Sequence, residues 1–358
     1  MKRGIVAVLC VAGVVCGAFG GVTLTDNETY AGTGGHYKVV TDVATYYYHK
    51  AGGTFTGLVD NDDSDWISWS TAGGASGQWR GMPKPYNWGW NAEDAGGSGV
   101  ETGEPQDVTA EYAKITSSKG GTADIEFFPT HVTFTITSNP GNFYFTYEGT
   151  PNGECNESET YTVKGNETTQ NSIGSDWTGD IGEADDEDYE WLYIGHNSGS
   201  NVLFITHSTS DNSADNTSDL THKMCPMWVF GFGRGWPTTG HISGNDSFTF
   251  GIVESTDHDE IVAAVKAAMG ATKARHATRE KAARDAMWLR QAGTALHVNA
   301  PFNGQHTVTI HDLAGRILVS QVSSEAASVV NTASLPSGSY VVKAAQGGHV
   351  VTGRISKF

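Results

Sequence analysis

Six residues stand where side chains could do acid–base or ionic chemistry: His49, Arg80, His131, Glu148, His207 and Arg234. Each ends or opens a short apolar or aromatic run, or sits in a glycine-flanked loop. His49 and Lys50 close "TYYYHK" just before "AGG", where small residues let a backbone approach a ligand closely. Arg80 lies between Trp79 and Gly81 in "GQWRGMP", and a guanidinium so placed can fork onto a carboxylate. Glu148 ends "FYFTYEG"; a carboxylate beside aromatic rings can have its pKa raised enough to act as acid or base. His131 opens "HVTFTITS" after Pro129, while His207 and Arg234 close "VLFITH" and "MWVFGFGR". Trp79, Trp88 and Trp90 share the loop of Arg80 and could stack on flat apolar ring faces. Every one of these residues also has a plain structural reading, as a stacked Arg, a surface His or a turn carboxylate. Their common placement at strand ends is more telling than any single one.

Strands must do the positioning. Between residues 37 and 254 short β-like runs alternate with Gly, Asn, Asp and Pro, the pattern of a large antiparallel β super-sandwich over residues 21–256. "HVTFTITS" alternates cleanly, with Val132, Phe134 and Ile136 toward a core and His131 and the threonines outward. "NVLFITHS" is apolar on both faces, as a central strand is. In "TYYYHK" Tyr46, Tyr48 and Lys50 point one way, and Tyr47 and His49 the other. "HVTFTITS" and "FYFTYEG" are separated only by "NPGN" and read as a hairpin. Antiparallel pairing would then bring His131 and Glu148 to one rim as an acid–base pair. Residues 257–291 are Ala-rich and charged, which predicts a helical linker whose Ile261, Val262, Val265 and Met269 pack on the sandwich. Residues 292–358 return to β pattern, as a small C-terminal β-sandwich.

Charge and composition exclude some classes. A net charge of −18 supplies no basic patch for nucleic acid or for an anionic membrane surface. Lys2 and Arg3 precede the apolar run "GIVAVLCVAGVVCGAFG", read as a secretory signal peptide over residues 1–20 and too short for a stable membrane span. Only Cys155 and Cys225 lie beyond it, and whether they pair stays open. "DNDDSD" (60–65) reads as a hairpin turn sooner than a calcium loop, and "EADDEDYE" as a solvated acidic loop. No spacing of ligands points to a metal, and no motif points to a cofactor.

"VTIHDLAGRILVSQ", "LPSGSYVVKA" and the closing "GHVVTGRISKF" resemble the C-terminal sorting domain of the type IX secretion system. The matching residues are Gly315, Arg316, Leu335, Gly338, Tyr340 and Lys357. The resemblance implies the secretion machinery as a partner and a secreted or surface-attached product. "GQWRGMP", "FFPTHVTFTI", "FYFTYEGTPNG" and "MWVFGFGR" resemble a little-characterised family of secreted bacterial proteins. That likeness implies a galactose-mutarotase-like super-sandwich and the setting of polysaccharide-degrading bacteria, and with the candidate residues it leads to the expectation of a polysaccharide or oligosaccharide partner. One departure is "THSTSDN", where only His207 remains of an expected pair of histidines. A polysaccharide lyase would need a cation for the uronate carboxylate, a base and an acid. Arg80 with His131, Glu148 and His207 could supply these, with His49, Lys50, Trp79, Trp88, Trp90 and Arg234 holding substrate. A non-catalytic glycan-binding or surface-structural protein on the same fold is the alternative, and a small-sugar epimerase a third.

Overall fold

The computed structural model describes residues 21–83, 99–119, 121–138, 141–154, 156–165, 167–173, 177–179, 188–211, 213, 215–219, 227–235, 239–285, 287–300, 302, 304–325, 327–346 and 349–357. The expected signal peptide, Trp88, Trp90, Cys155 and Cys225 lie outside them. The chain divides into two compact units, residues 1–269 and 270–358.

The first unit opens with an antiparallel meander of β1 (Thr23–Tyr30), β2 (Thr33–Val40), β3 (Ala44–His49) and β4 (Thr54–Asp60). The next strands are β5 (Glu101–Thr102), β6 (Gln106–Thr109), β7 (Tyr112–Lys119), β8 (Gly121–Phe127), β9 (Val132–Ser138), β10 (Phe145–Gly149), β11 (Thr160–Lys164), β12 (Asn171–Ser172) and β13 (Trp177–Gly179). There follow β14 (Glu190–His196), β15 (Val202–His207), β16 (Asp215–Asp219), β17 (Trp228–Phe232), β18 (Arg234–Gly235), β19 (Thr239–Gly240) and β20 (Ser247–Val253). Ten of them form one antiparallel sheet in the order β12-β11-β14-β15-β20-β9-β8-β7-β5, with β6 also beside β7. A four-stranded sheet, β10-β17-β16-β13, is the third, and β18 and β19 pair only with each other.

One core joins the three sheets. Tyr46, Tyr48 and Phe55 of the meander, Phe145, Tyr147 and Phe230 of the third sheet, and Phe127, Phe134 and Phe250 of the large sheet are all buried in it. Their rings meet edge to face, as Phe55 does with Phe127 at 5.9 Å and with Phe250 at 5.3 Å. The two small sheets therefore form one layer of a sandwich against the ten-stranded layer. A short filler seals the gap between them. Met82 exchanges two backbone hydrogen bonds with Phe55 of β4, and Gly81 exchanges two with Glu148 of β10. Trp66 does the same service one step on, donating to Leu58 and accepting from the Thr150 amide.

The other face of the large sheet is also apolar, since β15 alternates between the two sides. Leu203 and Ile205 enter the main core, while Val202 and Phe204 join Tyr161, Trp191 and Tyr193 on the far side. There they meet Ile261, Val265, Ala268 and Met269 of helix α1 (His258–Asp285). Asp257 caps the helix by accepting the Asp259 and Glu260 amides. The helix is shorter than the expected linker over 257–291. Trp288–Ala292 is strand instead, because Gly293, at φ 58°, turns it back onto its neighbour.

The second unit is a small sandwich. One sheet is β21 (Trp288–Ala292), β22 (Ala295–Asn299) and β25 (Ala327–Asn331). The other is β24 (Ile317–Ser323), β23 (His306–His311), β26 (Gly338–Gln346) and β27 (His349–Lys357), in that order. Leu296, Val298 and Val330 face Ile310, Val342 and Ile355 across its core.

The β9–β10 hairpin does not form. β9 pairs with β8 and β20, and β10 pairs with β17. Phe134 and Phe145 meet 5.8 Å apart in the shared core, one from the ten-stranded sheet and one from the third sheet. The proposed pairing of His131 with Glu148 on one hairpin rim is thereby corrected.

Candidate functional site

Four sequence candidates hold structural posts. His131 is buried rather than outward-facing, stacked on Phe128 at 4.5 Å, with Nδ1 at 3.1 Å from Thr130 Oγ1. Burial lowers its pKa to about 4, so the ring is neutral at ordinary pH. Arg234 is buried too. Its stem lies over Gly231, where a Cβ would come within 2.8 Å of Arg234 Cδ, and its Nη1 donates to Asn216 at 2.7 Å. Lys50 pairs with Asp26 at 2.5 Å and lies over the Tyr37 ring at 4.9 Å.

His207 ends β15 at the rim of the core. Its Nε2 is 2.8 Å from Asp246 Oδ2 and its Nδ1 is 3.2 Å from Glu190 Oε2. Burial alone would lower its pKa, but hydrogen bonds and charge from the two carboxylates outweigh that and raise it to about 10.

The remaining candidates gather on the outer face of the layer built by the two small sheets. Alternation along β3 sends Tyr46 and Tyr48 into the core and Tyr47 and His49 to the other face, where His49 is still buried. His36 and His49 are directly paired on β2 and β3, with ring centroids 4.8 Å apart. Burial drives His36 to about 4, with the His49 charge adding to it, and burial lowers His49 as well. Next along the face, Tyr47 stacks on Tyr30 at 4.2 Å. Tyr30 occupies the space over Gly57, where a Cβ would lie 2.6 Å from its ring.

Tyr30 donates its hydroxyl to Asp65 Oδ2. The other oxygen of Asp65 accepts the amides of Leu58 and Ile67, both at 3.1 Å. Burial nevertheless raises the Asp65 pKa, opposed by these bonds and by the charge of Arg80. Arg80 is 8% exposed and its Nη1 donates to the Ser68 carbonyl at 2.9 Å. Ser68 holds φ 55°, a left-handed value that costs a non-glycine residue strain and is over-represented at functional sites. Its hydroxyl receives Thr150 Oγ1 at 2.7 Å, two residues after Glu148. Glu148 points away from the core, because its neighbours Tyr147 and Gly149 face the other way and its backbone is locked to Gly81. Trp79, one residue before Arg80, is 39% exposed.

Arg80 and Trp79 directly precede Gly81, the backbone partner of Glu148, and His49 is linked to Arg80 through His36, Tyr30 and Asp65, whereas His131, His207 and Arg234 are engaged elsewhere. Asp65, Tyr30 and His36 were missed by sequence reasoning. "SDWISW" carries Asp65 inside what reads as a turn, and the turn itself is closed by Asp60, which accepts the Asp62 and Ser64 amides. Among the described residues no helix is long and apolar enough to cross a membrane.

The second unit carries its own signature. In "DLAGR" Asp312 accepts the Ala314 and Arg316 amides and pairs with Arg316 Nε at 2.6 Å, while Gly315 takes φ 82°. Lys357 Nζ donates to the carbonyls of Thr332, Ala333 and Leu335. Residues 293–357 match the family described as the secretion system C-terminal sorting domain. They are a type IX sorting domain. The sorting domain marks the protein for export to the cell surface or the extracellular space. No curated protein matches the chain. Among solved structures, the crystal structure of HI1317 is similar over 65% of this chain and 99% of its own, at 11% identity and a TM-score of 0.43. A galactose mutarotase related enzyme from Lactobacillus acidophilus is similar over 62% of this chain and 98% of its own, at 9% identity and a TM-score of 0.37.

Proposed function

We propose that the first unit is a carbohydrate-active protein that works outside the cell on an anionic polysaccharide, as a lyase or a related sugar enzyme. Its site is the outer face around Asp65, Arg80 and Glu148. The observation that carries this reading is the line Tyr30–Asp65–Arg80: a carboxyl whose pKa is raised by burial, bonded to a phenol and placed beside a guanidinium. Such a line holds a proton donor next to a cation, and a uronate substrate needs both. Arg80 neutralises the sugar carboxylate, Glu148 takes a proton, and Tyr30 gives its hydroxyl proton to the leaving oxygen, with Asp65 orienting that hydroxyl. Trp79 and the Tyr30–Tyr47 stack supply ring faces on which a pyranose lies. Export by the sorting domain suits a polymer that cannot enter the cell.

A second reading, non-catalytic glycan binding at the same face, is favoured by the burial of His131, His207 and Arg234. Incubating the full chain with plant and algal polysaccharides separates the two. Ultraviolet absorbance from an unsaturated product supports elimination, and new reducing ends alone support hydrolysis. Retention on an anionic polysaccharide without either product supports binding. No product and no retention on any polymer overturns the carbohydrate reading.

A further inference from the structure

The rim of the main core carries a group of side chains that the proposed polysaccharide site does not use. Glu190 begins β14, His207 ends β15, and Asp211 follows in the loop beyond. One ligand atom of each lies within 4.8 Å of the other two. Glu190 and His207 are fully buried, while Asp211 is only half-buried, so the group opens toward solvent on the Asp211 side.

We propose that Glu190, His207 Nδ1 and Asp211 form a zinc site. Three observations lead there. The first is ligand type. A ring nitrogen with two carboxylates suits a borderline transition ion, whereas calcium and magnesium take oxygen alone. The second is spacing. The 3.2 Å between His207 Nδ1 and Glu190 Oε2 is close to the edge of a tetrahedron whose centre lies about 2.0–2.1 Å from each ligand. The third is the support behind the ring. His207 Nε2–H donates to Asp246 Oδ2 at 2.8 Å, the arrangement by which a carboxylate fixes a metal-bound imidazole. Asp246 is itself held, because its other oxygen accepts Ser208 Oγ at 2.7 Å, the Ser247 amide at 2.9 Å and Thr209 Oγ1 at 3.1 Å. Glu190 is held in the same way through the Asp211 amide at 2.8 Å. Phe248 stacks flat on the ring at 5.0 Å and fixes its plane.

Zinc takes the Nδ1 lone pair of His207, any proton there leaves to solvent, and Nε2–H stays on Asp246. Three protein ligands leave a fourth position open on the solvent side for water or a ligand oxygen.

The test uses the full chain without a histidine tag. It is stripped with a chelator, loaded with zinc and dialysed against metal-free buffer, and the retained metal is measured by mass spectrometry. About one zinc per chain is expected, with a higher melting temperature than the stripped form. Asp211→Asn changes a half-exposed loop residue and should lose retention while melting like the stripped wild type. Asp246→Asn keeps all three ligands and should weaken zinc by roughly 10- to 100-fold. Cobalt in place of zinc should give a visible spectrum that Asp211→Asn abolishes. No zinc retained by the wild type overturns the proposal. So does retention that Asp211→Asn leaves unchanged, because the metal would then sit elsewhere.

Discussion

Gly81 and Glu148 exchange both backbone hydrogen bonds, at 2.7 and 2.9 Å, and this bridged pair ties the third sheet to the segment that also pairs with the meander. With the Trp66 link beside it, it joins the two four-stranded sheets into one layer with one outer surface. Arg80 and Glu148 owe their neighbourhood to that junction.

From this follows the first prediction, on activity. Glu148→Gln keeps the backbone bridge and removes the base, so turnover should fall by about 10²-fold or more, the usual scale for a positioned acid or base. Arg80→Ala should instead weaken binding of the anionic polymer and spare neutral ones. Steady-state kinetics on an active preparation decides, and unchanged turnover in Glu148→Gln removes that residue from the mechanism.

A second prediction concerns acid stability. The His131 ring is held neutral, with its pKa lowered from 6.5 to about 4 by burial. Below pH 6.5 the unfolded chain takes up a proton that the folded chain refuses until about pH 4, so stability is present above that window and lost as pH falls through it. The loss is about 3 kcal/mol at most. His36 behaves alike, so the whole effect is not removed by one change. His131→Phe keeps a ring against Phe128 and cannot charge. Its melting temperature should fall less than the wild type's between pH 7 and pH 5. Parallel curves for the two proteins would show that His131 does not drive the acid response.

Much of the fold was legible because period-two patterns are local. Val132, Phe134 and Ile136 lie in the core as their alternation implies, and the two-sided β15 is covered on both faces. Ile261, Val265 and Met269 pack where an amphipathic reading puts them. The site was less legible, because its parts meet across the chain. Tyr30 reaches Asp65 only through the space that Gly57 leaves, and nothing in "TFTGLVD" announces a neighbour's ring. His131 and Glu148 misled for a related reason. A short connection suggests pairing, but each strand had a large apolar face to bury, and burial on opposite layers won over adjacency. The partners of His207 come from β14 and from the residue just before β20, distances no motif encodes.

The helix supplies a third prediction. We expect residues 21–275 to fold alone, because Ile261, Val265, Ala268 and Met269, which pack on the large sheet, and the buried Thr272 all precede residue 275. Ending the chain at Arg275 should leave the main melting transition in place. Ending it at Asp257 exposes Trp191, Tyr193 and Phe204 and should lower that transition or abolish soluble expression. A milder form is Met269→Ala, expected to cost about 2–5 kcal/mol for a buried side chain that also accepts Thr206 Oγ1. Calorimetry on the three forms checks the order, and equal melting for both truncations would show that the helix is not part of the first unit.

The last prediction belongs to the sorting domain. Lys357 lies at the end of β27, where its ammonium gathers the Thr332, Ala333 and Leu335 carbonyls at 2.7, 3.3 and 2.6 Å. Those carbonyls belong to the turn after β25, so one side chain fixes the last strand to the other sheet of the sandwich. Lys357→Met keeps the stem and removes the donors. It should cost the second unit about 1–3 kcal/mol, because hydrogen bonds from a charged group are worth more than neutral ones and the carbonyls are left partly unsatisfied. The first unit has no share in this contact, so its melting transition should not move. Export should fall with the loss of a firmly folded signal, and deleting residues 293–357 should abolish it, leaving the protein in the periplasm. Fractionation of the native host measures both. Normal surface or medium levels after the deletion would contradict the role of the sorting domain, whereas normal export of Lys357→Met alone would show that the machinery reads the sandwich without needing that clamp.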